Sequence, residues 1–374
     1  MTQDNTELQK CNISQATQEQ RSEILKNVAE YWGTPETGLE YFIHWHAILE
    51  TKNYAIDGRL TYWVFVPKDA KDTLDILSCC WTYRRDASIL HANSEKPTQG
   101  FGYVLGAVIT PKQHRGRGYA NRMLTLLHYA LAPNVYSSPE VQIDIPPAVY
   151  PGAFSVLYSD IGTYYERCGP SPGEIGWKIQ NPISTIWEFS KTLPILVSEV
   201  TLPADLQLLS QEEVITLLSS DVPDWESLPR APDTTYVAFS PSALPNTHMV
   251  TRSTIHPSYN ASTDVFWGAH IIPKGHFITW AYDYHYTPRT LVITRIHADP
   301  TTLPVLLLAA LQAGETQGCQ QAEVWNLPEE LMDEATRLRG ITQERDSQLS
   351  AIKWYGPEPA KNVVWIMNEY YSWT

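Results

Sequence analysis

The sequence predicts an α/β protein built as two domains. Three observations carry this reading. Strand-like and helix-like runs alternate in both halves; the chain has 374 residues, more than one average domain needs; and 43% of residues are hydrophobic while 18% are charged. Such a composition excludes a disordered chain, which cannot bury enough apolar surface to offset its entropy. The formal net charge of −14 argues against nucleic acid or an anionic membrane as partner, because both attract Lys/Arg surfaces. The longest apolar candidate, Leu303 to Leu311, is too short to span a bilayer. The opening MTQDNTELQK has no apolar core of a secretory signal, so a cytoplasmic location is expected. The five cysteines are odd in number and form no Cys-x-x-Cys pair, which reads as reduced thiols and no metal site. The two sequons, at Asn12 and Asn260, then read as chance matches.

Taken in order, residues 1–19 read as a polar, flexible lead-in. Leu25, Val28, Ala29 and Trp32 share a helical face that Gly33 can close. Thr37-Gly-Leu-Glu40 has capping-box spacing for a second helix. Leu60 to Val66 and Leu74 to Tyr83 are rich in β-formers, and Phe101 to Thr110 is a strand stopped by Pro111. A helix follows over about Tyr119 to Leu131, then a strand ending near Ser159 and a short helix near Gly162 to Cys168. Residues 181–245 are rich in Pro, Ser, Thr and Leu, with a helix expected over Gln211 to Ser219 and an irregular connection over Pro223 to Pro245. Regular patterns return as strands at Asp264 to Ile272, His276 to Tyr284 and Thr290 to Ile296. A helix is expected at Leu303 to Ala313, and strands at Ala322 to Trp325 and Asn362 to Met367. The expected division is 20–195 and 196–374.

The strongest chemical signal is Gln113-His114-Arg115-Gly116-Arg117-Gly118-Tyr119-Ala120, set between a strand and an amphipathic helix. In that helix Ala120, Met123, Leu124, Leu127 and Leu131 fall on one face. Glycines allow a tight turn and close approach of a ligand, and a helix N-terminus offers unpaired N–H groups and a positive dipole end. Lys112, His114, Arg115, Arg117 and Arg122 make this the most basic short segment of an acidic chain. The reading is a pyrophosphate cradle; an ordinary strand-to-helix turn is the plainer alternative. The missing Gly-Lys-Ser/Thr excludes a P-loop, and Asn121 at the third glycine position disfavours a dinucleotide fold.

This segment resembles the acyl-CoA motif of the GNAT acetyltransferases, and Tyr164-Tyr165-Glu166-Arg167-Cys168-Gly169 resembles a second GNAT hallmark. Phe154 to Gly162, Glu323-Val-Trp325-Asn326 and the ending Trp365 to Trp373 are similar to the fungal lysine N6-acetyltransferase family. The resemblance implies an N-terminal GNAT fold followed by a GNAT-like α/β domain, with acetyl-CoA as co-substrate and a small amine as acceptor. It implies that Gly116 to Ala120 hold the pyrophosphate, that the strand end at Val108, Ile109 and Thr110 meets the pantetheine and thioester, and that Tyr165 protonates the leaving thiolate. Tyr164 beside it leaves the choice of tyrosine open, and a packed aromatic is the plainer role for Tyr165.

The family pattern carries Cys-Glu-Thr before its paired basic residues, whereas this chain has Cys80-Trp81-Thr82 before Arg84-Arg85. Trp81 in place of a carboxylate puts a lysine-like acceptor in doubt; it lines an aromatic pocket or simply packs in the core. His44 or His46, on one face of a strand but separated on a helix, is one replacement base. The terminal carboxylate of Thr374 is another, with a merely docked tail as the plainer reading. Two further functions stay open: a different reaction of fungal secondary metabolism on an apolar metabolite, and a non-catalytic binding module.

Overall fold

The computed structural model describes residues 5–33, 37–139, 141–229, 231–241, 243–261 and 264–373. The chain forms two units: residues 1–180, 224–240 and 346–366 in one, residues 181–223, 241–345 and 367–374 in the other. Two segments beyond residue 195 thus belong to the N-terminal unit. Both units combine one sheet with helices, as the alternating pattern predicts. No helix among the described residues is long and apolar enough to cross a membrane.

In the first unit, α1 (Asn5–Gln9) leads into β1 (Cys11–Gln15), which pairs antiparallel with β2 (Leu60–Pro67). Part of the expected flexible lead-in is therefore sheet. Cys11 and Ile13 bury at a two-residue period, a signal too short to stand out among polar neighbours. α2 (Gln18–Trp32) starts with a reciprocal cap: Thr17 accepts from the Gln20 N–H, and Gln20 accepts from the Thr17 N–H. α3 (Leu39–Leu49) starts at Gly38 with no side-chain cap, so the spacing at Thr37 is not used; Thr37 is itself buried. Then come β3 (Ser78–Leu90), β4 (Thr98–Ile109), α4 (Tyr119–Leu131), β5 (Phe154–Ser159) and β6 (Lys178–Ile179).

The sheet runs β1–β2–β3–β4–β5, then strand Leu349–Trp354, then β6. Strand Thr235–Phe239 pairs with the far half of β3 and with strand Val363–Trp365. The expected irregular stretch thus contains a strand: Thr235 to Phe239 are buried throughout, so no alternation marks them. Side-chain alternation divides the two faces. Trp63, Phe65, Cys80, Leu105 and Leu157 pack with Met123, Leu124 and Leu127 of α4. Tyr62 and Trp81, the intervening positions, meet His46 of α3. Cys79 and Cys80 follow the same alternation, and burial raises both thiols, Cys79 to about 12.

The second unit has a seven-stranded sheet in the order Ile341–Glu344, Ile183–Glu188, Gln321–Trp325, Thr290–His297, His276–Asp283, Gly268–Ile271, Leu206–Leu209. Thr290–His297 and Gln321–Trp325 are parallel, joined by helix Leu303–Thr316, which is apolar and buried almost all round. Helix Phe189–Glu199 was not evident from sequence because Pro194 lies inside it. The tail packs here too. Asn326 donates to the Asn368 carbonyl, and the Tyr370 ring lies 3.9 Å from that of Trp325. Arg295 bridges Glu369 at 2.6 Å and Asp221 at 2.7 Å.

Three histidines are held neutral by burial, which lowers His46 and His128 to about 3 and His285 to about 4. The unfolded chain takes up these protons near pH 6.5 and the folded chain only near 3 to 4. Their contribution to stability is therefore whole above about pH 6.5 and is lost on acidification below it, at about 1.4 kcal/mol per histidine per pH unit. Thermal melts at about pH 7.5 and pH 5.5 should show the lower melting temperature at the lower pH.

Candidate active site

β4 and β5 are parallel partners only from Gly102 opposite Phe154 to Leu105 opposite Leu157, although β4 continues to Ile109. Beyond Leu105 the two strands part. On its other edge β4 is bulged: Trp81 faces Gly106 and Cys79 faces Ile109, with Ala107 at φ 47° between them. The half-buried Gly106, Ala107 and Val108 therefore lack a β5 partner on the opened side. Val108, Ile109 and Thr110, expected to meet a pantetheine, form this strand end.

From there the chain passes through a 3-10 turn (Lys112–His114) into α4. Gly116 and Gly118 both sit at φ 78°, a conformation that side chains disfavour. A Cβ on Gly116 would meet nothing within 4 Å, so the loop faces open space there. Gly118 is the N-cap of α4 and brings no side-chain cap, leaving the first-turn N–H groups of Tyr119, Ala120 and Asn121 for another acceptor. The basic residues divide by role. His114 is buried and hydrogen-bonds Asp75 at 2.6 Å, so it braces the loop. Lys112 pairs with Glu30. Arg115 donates to the Thr110 carbonyl at 3.2 Å and lies 4.7 Å over the Tyr31 ring. Gln113 and Arg117 are exposed, and Arg117 makes no ion pair among the described residues.

α4 also fixes the next segment. Asn121 donates to the Arg167 carbonyl, Thr125 to the Gly169 carbonyl, and His128 bonds the Cys168 carbonyl. Gly169 must be glycine, since a Cβ would lie 1.8 Å from the Glu174 carbonyl oxygen. This clamp was not read from sequence, although Asn121, Thr125 and His128 recur at helical spacing. Both tyrosines are half-buried against the same core but differ in their polar neighbours. Tyr164 stacks under Arg167 at 4.2 Å. Tyr165 packs against the core near Cys80; burial raises its phenol and keeps it protonated, and its hydroxyl makes no hydrogen bond to a described residue. Cys168 is buried, and burial raises its thiol to about 11.

Trp81 lies on the opposite sheet face, its indole nitrogen 2.3 Å from where a Cβ of Gly106 would be, so only glycine fits beside it. Its ring is 4.8 Å from the His46 imidazole and 5.8 Å from the Tyr62 ring. His44 and His46 lie on helix α3, which separates them: His44 is exposed and His46 buried. Thr374 lies outside the described residues.

Residues 191–374 match the family model of the LYC1 GNAT-like C-terminal domain. This stretch is similar to the LYC1 GNAT-like domain over its whole length. A GCN5-related N-acetyltransferase of Kribbella flavida superposes over 92% of this chain and 71% of its own, at 11% identity and a TM-score of 0.51. A conserved protein of Enterococcus faecalis described as a probable N-acyltransferase covers 92% of this chain and 72% of its own, at 11% identity and a TM-score of 0.53. No curated protein matches the chain closely enough in sequence to count as a relative. The chain thus carries an N-terminal GNAT fold and a C-terminal GNAT-like domain. Open space at Gly116, an uncapped helix terminus and an Arg117 without an ion pair among the described residues fit an extended, anionic co-substrate such as acyl-CoA.

Proposed function

We propose that the N-terminal unit transfers an acetyl group from acetyl-CoA to a small amine. The observation that carries this reading is the parting of β4 from β5 immediately ahead of an uncapped helix with two left-handed glycines. An opened strand edge offers backbone groups to the pantetheine amides, and the N–H groups of Gly116 to Ala120 face the pyrophosphate, helped by Arg117. Backbone N–H at Val108 to Thr110 stabilises charge on the thioester oxygen as it develops.

The transfer is direct. The amine nitrogen bonds to the carbonyl carbon, the C–S bond breaks, and Tyr165 gives its phenolic proton to the departing sulfur. The proton shed by nitrogen replaces it, so one proton moves from nitrogen to sulfur overall. Burial supports Tyr165 as an acid by keeping it protonated. Burial also raises Cys80 and Cys168, which speaks against a thiolate nucleophile and an acyl-enzyme. The acceptor is a lysine-like amino acid or a fungal metabolite, and the reaction is cytoplasmic. One observation favours a second reading: the Trp81, His46 and Tyr62 cluster gives the sheet an aromatic wall suited to an apolar metabolite and a different reaction.

Calorimetric titration with acetyl-CoA, followed by release of free CoA with an amine panel, tests the first reading. Saturable binding and amine-dependent CoA release are expected. No binding at millimolar acetyl-CoA would overturn it in favour of the second. Tyr165→Phe should lower kcat about 100-fold while leaving acetyl-CoA affinity unchanged, and full turnover in this variant would remove Tyr165 as the acid.

A further inference from the structure

His46 is 1% exposed, and its surroundings fix which nitrogen carries the proton. Tyr62 gives its only proton to Glu50 Oε1 at 2.8 Å. The Tyr62 oxygen, 2.9 Å from His46 Nδ1, must then accept from it. Nδ1 is the protonated nitrogen, and Nε2 presents a lone pair. That Nε2 is buried and has no hydrogen-bond partner. Buried polar atoms are nearly always paired, so an orphaned lone pair marks a place where a donor belongs.

The orphan lies one ring from the opened strand. Trp81 packs on His46 at 4.8 Å, and its indole nitrogen occupies the space beside Gly106, where β4 begins to part from β5. The indole N–H makes no hydrogen bond to a described residue. An unpartnered buried acceptor and an indole N–H therefore belong to neighbouring rings. They complement the two groups that meet in acyl transfer, the N–H of a nucleophile and the oxygen of a thioester.

The character of the nucleophile follows. Nε2 offers a neutral lone pair, and burial holds the ring neutral. The neighbouring carboxylate, Glu50, is already engaged by Tyr62. Arg21 lies 5.3 Å over the Tyr62 ring and disfavours a second cation. The walls are aromatic: Trp81, Tyr62, Phe42 and Trp45. On the acetyl-transfer reading, we infer that His46 Nε2 accepts the N–H of an uncharged, weakly basic aromatic amine. Tyr62 and Glu50 position it by fixing the tautomer, and the Trp81 N–H donates to the thioester oxygen.

The test uses the full chain with acetyl-CoA, comparing an aniline series with lysine and hexylamine. The anilines should show kcat/KM at least about tenfold higher. His46→Ala should lower kcat/KM for the best aniline about 100-fold with acetyl-CoA affinity unchanged, and His46→Gln, whose amide oxygen can accept the same N–H, should recover part of it. Tyr62→Phe should lower kcat about tenfold with no change in acetyl-CoA affinity and a modestly lower melting temperature from the lost buried hydrogen bonds, and it decides the matter if His46→Ala does not fold. Unchanged turnover in these variants, or preference for lysine or hexylamine, with acetyl-CoA binding intact would overturn this inference alone. Loss of acetyl-CoA binding in the unaltered protein would overturn the transfer reading and this inference with it.

Discussion

Replacing Gly116 with valine is expected to weaken acetyl-CoA binding roughly a thousandfold. Gly116 stands at φ 78°, and a β-branched residue held there costs about 1–3 kcal/mol. Relief of that strain turns the loop away from the α4 terminus, and a lost charge-assisted hydrogen bond to phosphate adds about 1.5–3 kcal/mol. Together these come to about 4 kcal/mol, a factor of about a thousand in Kd. The side chain itself meets no protein atom within 4 Å, so the melting temperature should change little. Calorimetric titration of the variant checks this. Affinity within threefold of the parent would mean that the glycine loop is an ordinary turn.

Arg295→Ala should destabilise the second unit by about 3–5 kcal/mol. The guanidinium lies between Asp221 and Glu369, and all three side chains are at least 88% buried, being 12%, 11% and 8% exposed. Without it two carboxylates face each other away from water. Burial already raises the carboxyl of Glu369, Arg295 being the main opposing influence. Glu369 would then keep only the Ile296 N–H among these partners, while Asn326 and Trp325 still hold its neighbours. A urea unfolding midpoint well below that of the parent, with faster proteolysis after residue 366, is the expected result. An unchanged midpoint would show that the ion triad contributes nothing net. Arg295→Met separates charge from volume, since methionine restores packing but leaves the carboxylates unpaired.

Much of the fold was legible where a period or a cap marks it. Tyr119–Leu131 and Gln211–Ser219 were read with their true ends, because Gly118 opens one and Ser210 with Glu213 caps the other. Strands buried on both faces were not: Leu349–Trp354 and Thr235–Phe239 show no alternation to read. The glycine loop ahead of α4 was legible because its glycines and cations are contiguous. That Arg167 engages Tyr164 rather than Tyr165 was not legible, since both tyrosines pack on the core. Nor was the His46–Tyr62–Glu50 chain, whose members come together only when a helix crosses a strand. The docked-tail reading gains from Asn326, Arg295 and Trp325, which hold residues 368–370.

The ordering of segments in the first unit also governs how the protein is made. Strand Leu349–Trp354 sits between β5 and β6, and Thr235–Phe239 covers the far half of β3. Neither is present when residue 195 leaves the ribosome. At about 5–20 residues per second, roughly 10–40 s pass between synthesis of residue 180 and residue 366. Throughout that interval the nascent N-terminal sheet has an open edge at β5, the kind of edge that recruits stray strands. A fragment ending at residue 195 is therefore expected to aggregate where the full chain stays soluble, because the first sheet is completed by segments made later.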